Sequence, residues 1–144
     1  MKTRIELISE DQPEEIVVRC YSITDEIQNM ISFIENDKKI IGYKRGTAYP
    51  LKMSDIYYFE IVDQKAFIYC EKDIYESKMK LYEFEREADG TSFFRASKSL
   101  IINADKIDSI KPSLSGRFEV ILLNKEKLIV SRQYVRVLKH MIGL

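Results

Sequence analysis

The chain has 144 residues, 45% of them apolar and 32% charged, with nine Tyr, seven Phe, five Gly and three Pro. That suits one ordinary domain with a short extra element, able to bury a core without disulfides or metal, and it excludes intrinsic disorder and low-complexity linkers. The formal net charge is zero, but residues 1–37 hold three basic and nine acidic side chains while residues 91–144 hold ten basic and four acidic. Such polarity can attract a polyanion to one end, or bring opposite ends of two copies together.

No stretch reaches the roughly eighteen consecutive apolar residues of a membrane helix. The segment Met1–Glu6 lacks the apolar core of a signal peptide. Cys20 and Cys70 have no metal-ligand spacing and read as reduced thiols of a cytoplasmic protein.

In chain order, the apolar stretches 4–8 and 16–21 each suit a strand, with the polar loop 9–15 between them. Thr24 is a helix N-cap, followed by Asp25 and Glu26 at the positive end of the helix dipole. Ile27, Met30, Ile31 and Ile34 recur at helical spacing, and Asn36-Asp37 closes the helix. This acidic β-β-α piece, residues 1–37, reads as an accessory element to a domain at 38–144.

From Lys38 onward strands dominate. Stretches 38–43 and 48–53 flank the turn Lys44-Arg45-Gly46-Thr47, and 56–62 and 66–71 flank Asp63-Gln64-Lys65 as a hairpin. Stretch 73–76 continues the sheet. A short helix over 79–88 stops at Asp89-Gly90. Strands over 93–103 and 106–111 follow, then a hairpin of 118–123 and 128–131. A last helix carries Tyr134, Val137, Leu138 and Met141 on one face.

The run Phe93-Phe94-Arg95-Ala96-Ser97-Lys98-Ser99-Leu100-Ile101-Ile102-Asn103 resembles the signature of the LytTR family of DNA-binding domains. Ser54 to Glu60 resembles the segment before that family's first DNA-facing loop, and Ser131-Arg132-Gln133-Tyr134 resembles its Ser-Arg-x-Tyr ending. The three segments occur in family order and cover roughly residues 39–144. The resemblance implies a mostly β (α+β) fold: an elongated antiparallel domain with short helices that meets DNA through loops, not a recognition helix. It also implies double-stranded DNA as partner and a homodimer on paired sites. Thirty-seven preceding residues are too few for the receiver domain many members carry, so a standalone regulator is expected.

The resemblance points to three loops. In the first, Gln64 and Lys65 would face the major groove, although Ala66 stands where some members have His. In the second, Lys98 suits a guanine acceptor or a phosphate, and Ser99 a phosphate. In the third, Arg132 has the chemistry to pair with guanine and Gln133 with adenine. Lys44 and Arg45 are further candidates for phosphate contact. Each has a plainer reading: Lys65 a solvated turn tip, Lys98 an isolated strand lysine, Arg132 the partner of a nearby carboxylate. Arg95 suits a structural hydrogen-bonder as readily as a DNA contact. Lys111 and Arg117 suit phosphate contact or plain surface charge. Asn103 reads as a turn cap and Tyr134 as an anchor for the last helix.

Catalysis has no support. His140 is the single histidine, and no Gly-rich phosphate loop, nucleophile elbow or metal-spaced cluster occurs. The expectation is a transcription factor without cofactor or metal. The rival is a regulatory module that binds a protein partner through its acidic N-terminal element, with weak or no DNA binding.

Overall fold

The computed structural model describes residues 1–34 and 38–144, the side chains of residues 32 and 33 excepted. The chain divides into two units, Met1–Asn36 and Asp37–Leu144.

In the first unit a helix, α1, spans Asp25–Ile34. The Thr24 hydroxyl caps it by accepting from the Ile27 amide at 3.3 Å, as its sequence position predicts. The Asn36-Asp37 stop lies outside the described residues. The two strands expected over 4–8 and 16–21 are absent, and residues 1–23 form no strand. Ile5, Leu7, Ile16 and Val17 are all largely exposed. Strand formation needs a paired neighbour and a buried face, and an isolated two-stranded hairpin is marginal in water.

The second unit opens with β1 (Lys39–Lys44) and β2 (Thr47–Lys52). Strands β3 (Ile56–Val62), β4 (Lys65–Cys70) and β5 (Ile74–Ser77) follow, then helix α2 (Leu81–Glu87). Next come β6 (Phe93–Arg95), β7 (Leu100–Asn103), β8 (Ile107–Pro112), β9 (Phe118–Leu122), β10 (Lys127–Val130) and helix α3 (Val135–Met141). Seven strands form one antiparallel sheet in the order β2-β1-β5-β4-β3-β7-β6, and β10-β9-β8 form a second. The mostly β, antiparallel architecture is the expected one. The run 93–103 is not one strand, however: β6 and β7 fold back on each other, pairing Phe94 with Ile102 and Arg95 with Ile101. Lys98 therefore stands in a connection, not on a strand.

Alternation along β3 and β7 supplies both faces of the seven-stranded sheet. One face brings Phe59, Ile68 and Ile101 against Phe84 and Ala88 of the α2 segment. The other brings Tyr58, Phe94, Leu100 and Ile102 against Val120, Leu122 and Val130 of the second sheet and Leu138 of α3. Tyr134 packs on the edge of this second core, the anchoring its sequence position implies. Asn103 donates to the Ile56 carbonyl at 2.9 Å and accepts from the Asp105 amide at 3.1 Å, capping the turn after β7.

Phe84 is fully buried and stacks on Phe59 with ring centroids 4.3 Å apart. Phe84→Ala is expected to cost about 3–5 kcal/mol, read as a lowered urea midpoint with an unchanged slope. A loss under about 1 kcal/mol would mean that α2 contributes little to the core.

Candidate nucleic-acid interface

Strand register decides which loops share an end of the sheet. Glu60 of β3 pairs with Leu100 of β7, and the Ile61 amide donates to the Ser99 carbonyl at 2.9 Å. The β3–β4 turn and the β6–β7 connection thus lie at one end. The Ser131 amide donates to the Ala96 carbonyl at 2.8 Å, which brings the junction of β10 and α3 to that same end. Phe118 pairs with both Pro112 and Val130, so the β8–β9 connection is there too.

Three of these connections enclose one groove of about 480 Å³, lined by Ser97, Lys98, Ser115, Arg117, Ser131, Arg132 and Gln133. Among the described residues no carboxylate lines it. Lys98, Arg117, Arg132 and Gln133 are exposed, and among the described residues none of the three cations forms an ion pair. Ser99 is half-buried beside it, its amide bonded to the Ser97 hydroxyl at 3.2 Å.

Arg95 holds the Lys98 loop in shape. Its guanidinium donates to the Ser97 carbonyl at 2.6 Å and to the Lys98 carbonyl at 2.8 Å, and pairs with Glu85 at 3.0 Å. A planar fork serves two carbonyls and a carboxylate together, which an ammonium cannot do with the same geometry. Of the two roles open to Arg95 from sequence, the structure assigns the structural one.

Arg132 is seated from the other side. Gly116 lies in the left-handed region at φ 74°, and a Cβ placed there would approach the Arg132 Cδ to 3.0 Å. The bare glycine lets the β8–β9 connection pack on the aliphatic stem of the arginine. Nothing in the local sequence announces this contact, because it joins two loops far apart in the chain.

Gln64 and Lys65 are exposed at the same end of the sheet but line a different groove, with Lys78, Lys80, Met79 and Glu76. Asp63 and Gln64 form a two-residue turn with φ of 49° and 67°. Both values fit the turn type that matches hairpin twist, yet that type favours glycine at the second position. Lys44 and Arg45 are not brought to this end. Tyr43 pairs with Glu76, which sends the β1–β2 turn towards the start of β5, and Lys44 is held there by Asp73 at 2.8 Å. That ion pair raises the Lys44 pKa. Lys111 and Lys127 clasp Glu119 at 3.3 and 2.7 Å, holding its carboxyl below the usual range, so Lys111 is not a free cation either.

A β scaffold with three free cations gathered on strand-end loops is the kind of domain these features define, and the three helices are separated by strands, leaving no helix-turn-helix pair among the described residues. Residues 46–143 match the model of the LytTr DNA-binding domain, and the chain belongs to that family. It is 31% identical over 96 residues to the sensory transduction protein LytT of Enterococcus faecalis, covering 67% of this chain but only 40% of that protein. An uncharacterized HTH-type transcriptional regulator of Staphylococcus aureus is 22% identical over 147 residues, covering 100% of this chain and 99% of the relative. A solved LytTr DNA-binding domain from Bacillus cereus superposes with a TM-score of 0.70 at 26% identity, over 74% of this chain and 98% of that one. No helix among the described residues is long and apolar enough to cross a membrane.

The left-handed Gln64 makes a measurable demand on stability. Gln64→Gly removes the steric cost of that conformation and adds freedom to the unfolded chain, for a net gain of about 0.5–1 kcal/mol. A higher urea midpoint is expected; a lower one would show that the glutamine side chain has stabilising contacts that outweigh its backbone strain.

Proposed function

We propose that this chain is a sequence-specific transcriptional regulator that reads duplex DNA through the loops at one end of its two sheets. The observation that carries the reading is the groove where Lys98, Arg117 and Arg132 meet with no carboxylate or ion-pair partner among the described residues. Three unneutralised cations at one site cost self-repulsion, which a polyanion relieves. Phosphate contacts position such a protein and side chains at base edges give it sequence preference.

In this reading Arg132 pairs bidentately with a guanine and Gln133 with a neighbouring adenine, while Lys98 takes a guanine acceptor or a phosphate. Ser99 bonds a phosphate. Gln64 and Lys65 extend the footprint from the adjacent turn. Arg95 acts through the loop it shapes. Lys44 and Arg45 fall outside the footprint, because their turn lies at the opposite end of the sheet. The family resemblance adds two copies on a paired site, and the reading places the protein in the cytoplasm.

The rival, a protein-binding module, draws on α1, whose Met30 and Ile34 are partly exposed. Removing residues 1–36 separates the two: DNA affinity that persists or rises favours DNA reading, and activity lost with no DNA binding ever detected favours the rival.

Lys98→Ala and Arg132→Ala are each expected to weaken a selected duplex by about 5- to 150-fold in gel shift, with the circular dichroism spectrum unchanged. Wild-type affinity should fall with salt by about 0.9 log units per phosphate contact for each tenfold rise. Folded variants that keep wild-type affinity would overturn the proposal.

A further inference from the structure

The β8–β9 connection belongs to none of the three loops that the family resemblance picks out, yet it forms one wall of the cationic groove through Ser115 and Arg117. It is a closed structure, not a loose strap. The Ser113 amide donates to the Arg117 carbonyl at 2.8 Å and the Arg117 amide to the Leu114 carbonyl at 3.2 Å. Ser115 and Gly116 both take left-handed conformations, φ 59° and 74°. At its tip stands Leu114, with 85% of its surface exposed. A leucine held outward on an ordered loop presents apolar surface that a matching apolar group can cover.

Resting on the DNA-reading role proposed above, we infer that this connection is a fourth DNA-contacting loop, in which Arg117 holds a phosphate and Leu114 reads a base through the methyl group of thymine. The major-groove edge of thymine carries an apolar C5 methyl, and no other base presents one. Gly116 packs on the Arg132 stem, so Leu114 and Arg132 approach the duplex as one body. The thymine is therefore expected within a base pair or two of the guanine read by Arg132. Arg117 is exposed and makes no ion pair among the described residues, so a phosphate meets it without displacing a carboxylate.

The test uses a duplex selected from random DNA by the full wild-type chain, in which each thymine is replaced in turn by deoxyuridine, removing one methyl and nothing else. One replacement per half-site is expected to cost the wild type about fourfold in affinity, the value of one buried methyl group. Leu114→Ala should bind the unmodified duplex about as weakly as the wild type binds that uracil duplex, and should lose nothing further from the replacement. Arg117→Ala should instead lower the slope of log affinity against log salt by about 0.9, with the base preference unchanged. Leu114 is exposed enough that its variant keeps the fold, which circular dichroism checks.

If the wild type selects a duplex, and Lys98→Ala loses it, but Leu114→Ala shows the same methyl losses as the wild type, this inference alone is overturned. Methyl-independent binding in which Leu114 instead bends the duplex would overturn it equally, since a wedge between base steps is a different contact. A wild-type chain that selects no duplex at all overturns the proposed function, and this reading with it.

Discussion

The core between the two sheets is what every other feature of the second unit leans on. Tyr58, Phe94, Leu100 and Ile102 from the large sheet meet Val120, Leu122 and Val130 from the small one, with Leu138 of α3 closing the layer. Five of these side chains, those of Ile102, Val120, Leu122, Val130 and Leu138, are fully buried. Close packing of that kind leaves little freedom for one sheet to slide on the other. It fixes the ends of β6, β9 and β10 together, and three connections distant in sequence become one groove. Hydrogen bonds pin the joint at both ends: Ser131 to Ala96 beside the groove, and Asn124 to the Glu71 carbonyl at the far end. The Tyr58 hydroxyl also donates to Glu126 there at 2.5 Å, and burial, helped by this bond, drives the tyrosine pKa well above its ordinary value.

The carboxylates of the last third of the chain stand away from the groove. Residues 91–144 contain only four carboxylates. Asp105 and Asp108 flank the start of β8, which pairs with the far end of β9, and Glu126 sits in the β9–β10 turn at that far end. Glu119 is clasped by two lysines on the small sheet. Among the described residues, the groove of Lys98, Arg117 and Arg132 is left with cations and no carboxylate. Lys44 is the counterexample: its turn lies at the far end, where Asp73 neutralises it. The zero net charge of the chain therefore conceals a local cationic groove in its second unit.

Much of this was legible from residues in local patterns. The β3–β4 and β9–β10 hairpins, the Thr24 cap and the roles of Asn103 and Tyr134 all follow from short-range signals. What failed to show has one common cause, dependence on distant partners. The stretches 4–8 and 16–21 carry strand-forming residues but nothing to pair with. The turn at Ser97-Lys98-Ser99 contains neither Gly nor Pro, so the 93–103 run carries no strong turn signal to divide it into two strands. The destination of Lys44 is set by β1 pairing with β5, a neighbour thirty residues on. The seating of Arg132 on Gly116, and the closure of Leu114 beside it, arise only when the small sheet has formed.

Amide hydrogen exchange of the full chain, with and without a selected duplex, tests whether one end of the sheets is the face that meets DNA. Protection is expected at residues 96–99, 113–117 and 131–133, with the turns at 44–47 and 71–73 unchanged. Protection of the 44–47 and 71–73 turns, with the groove loops exchanging as freely as before, would contradict it.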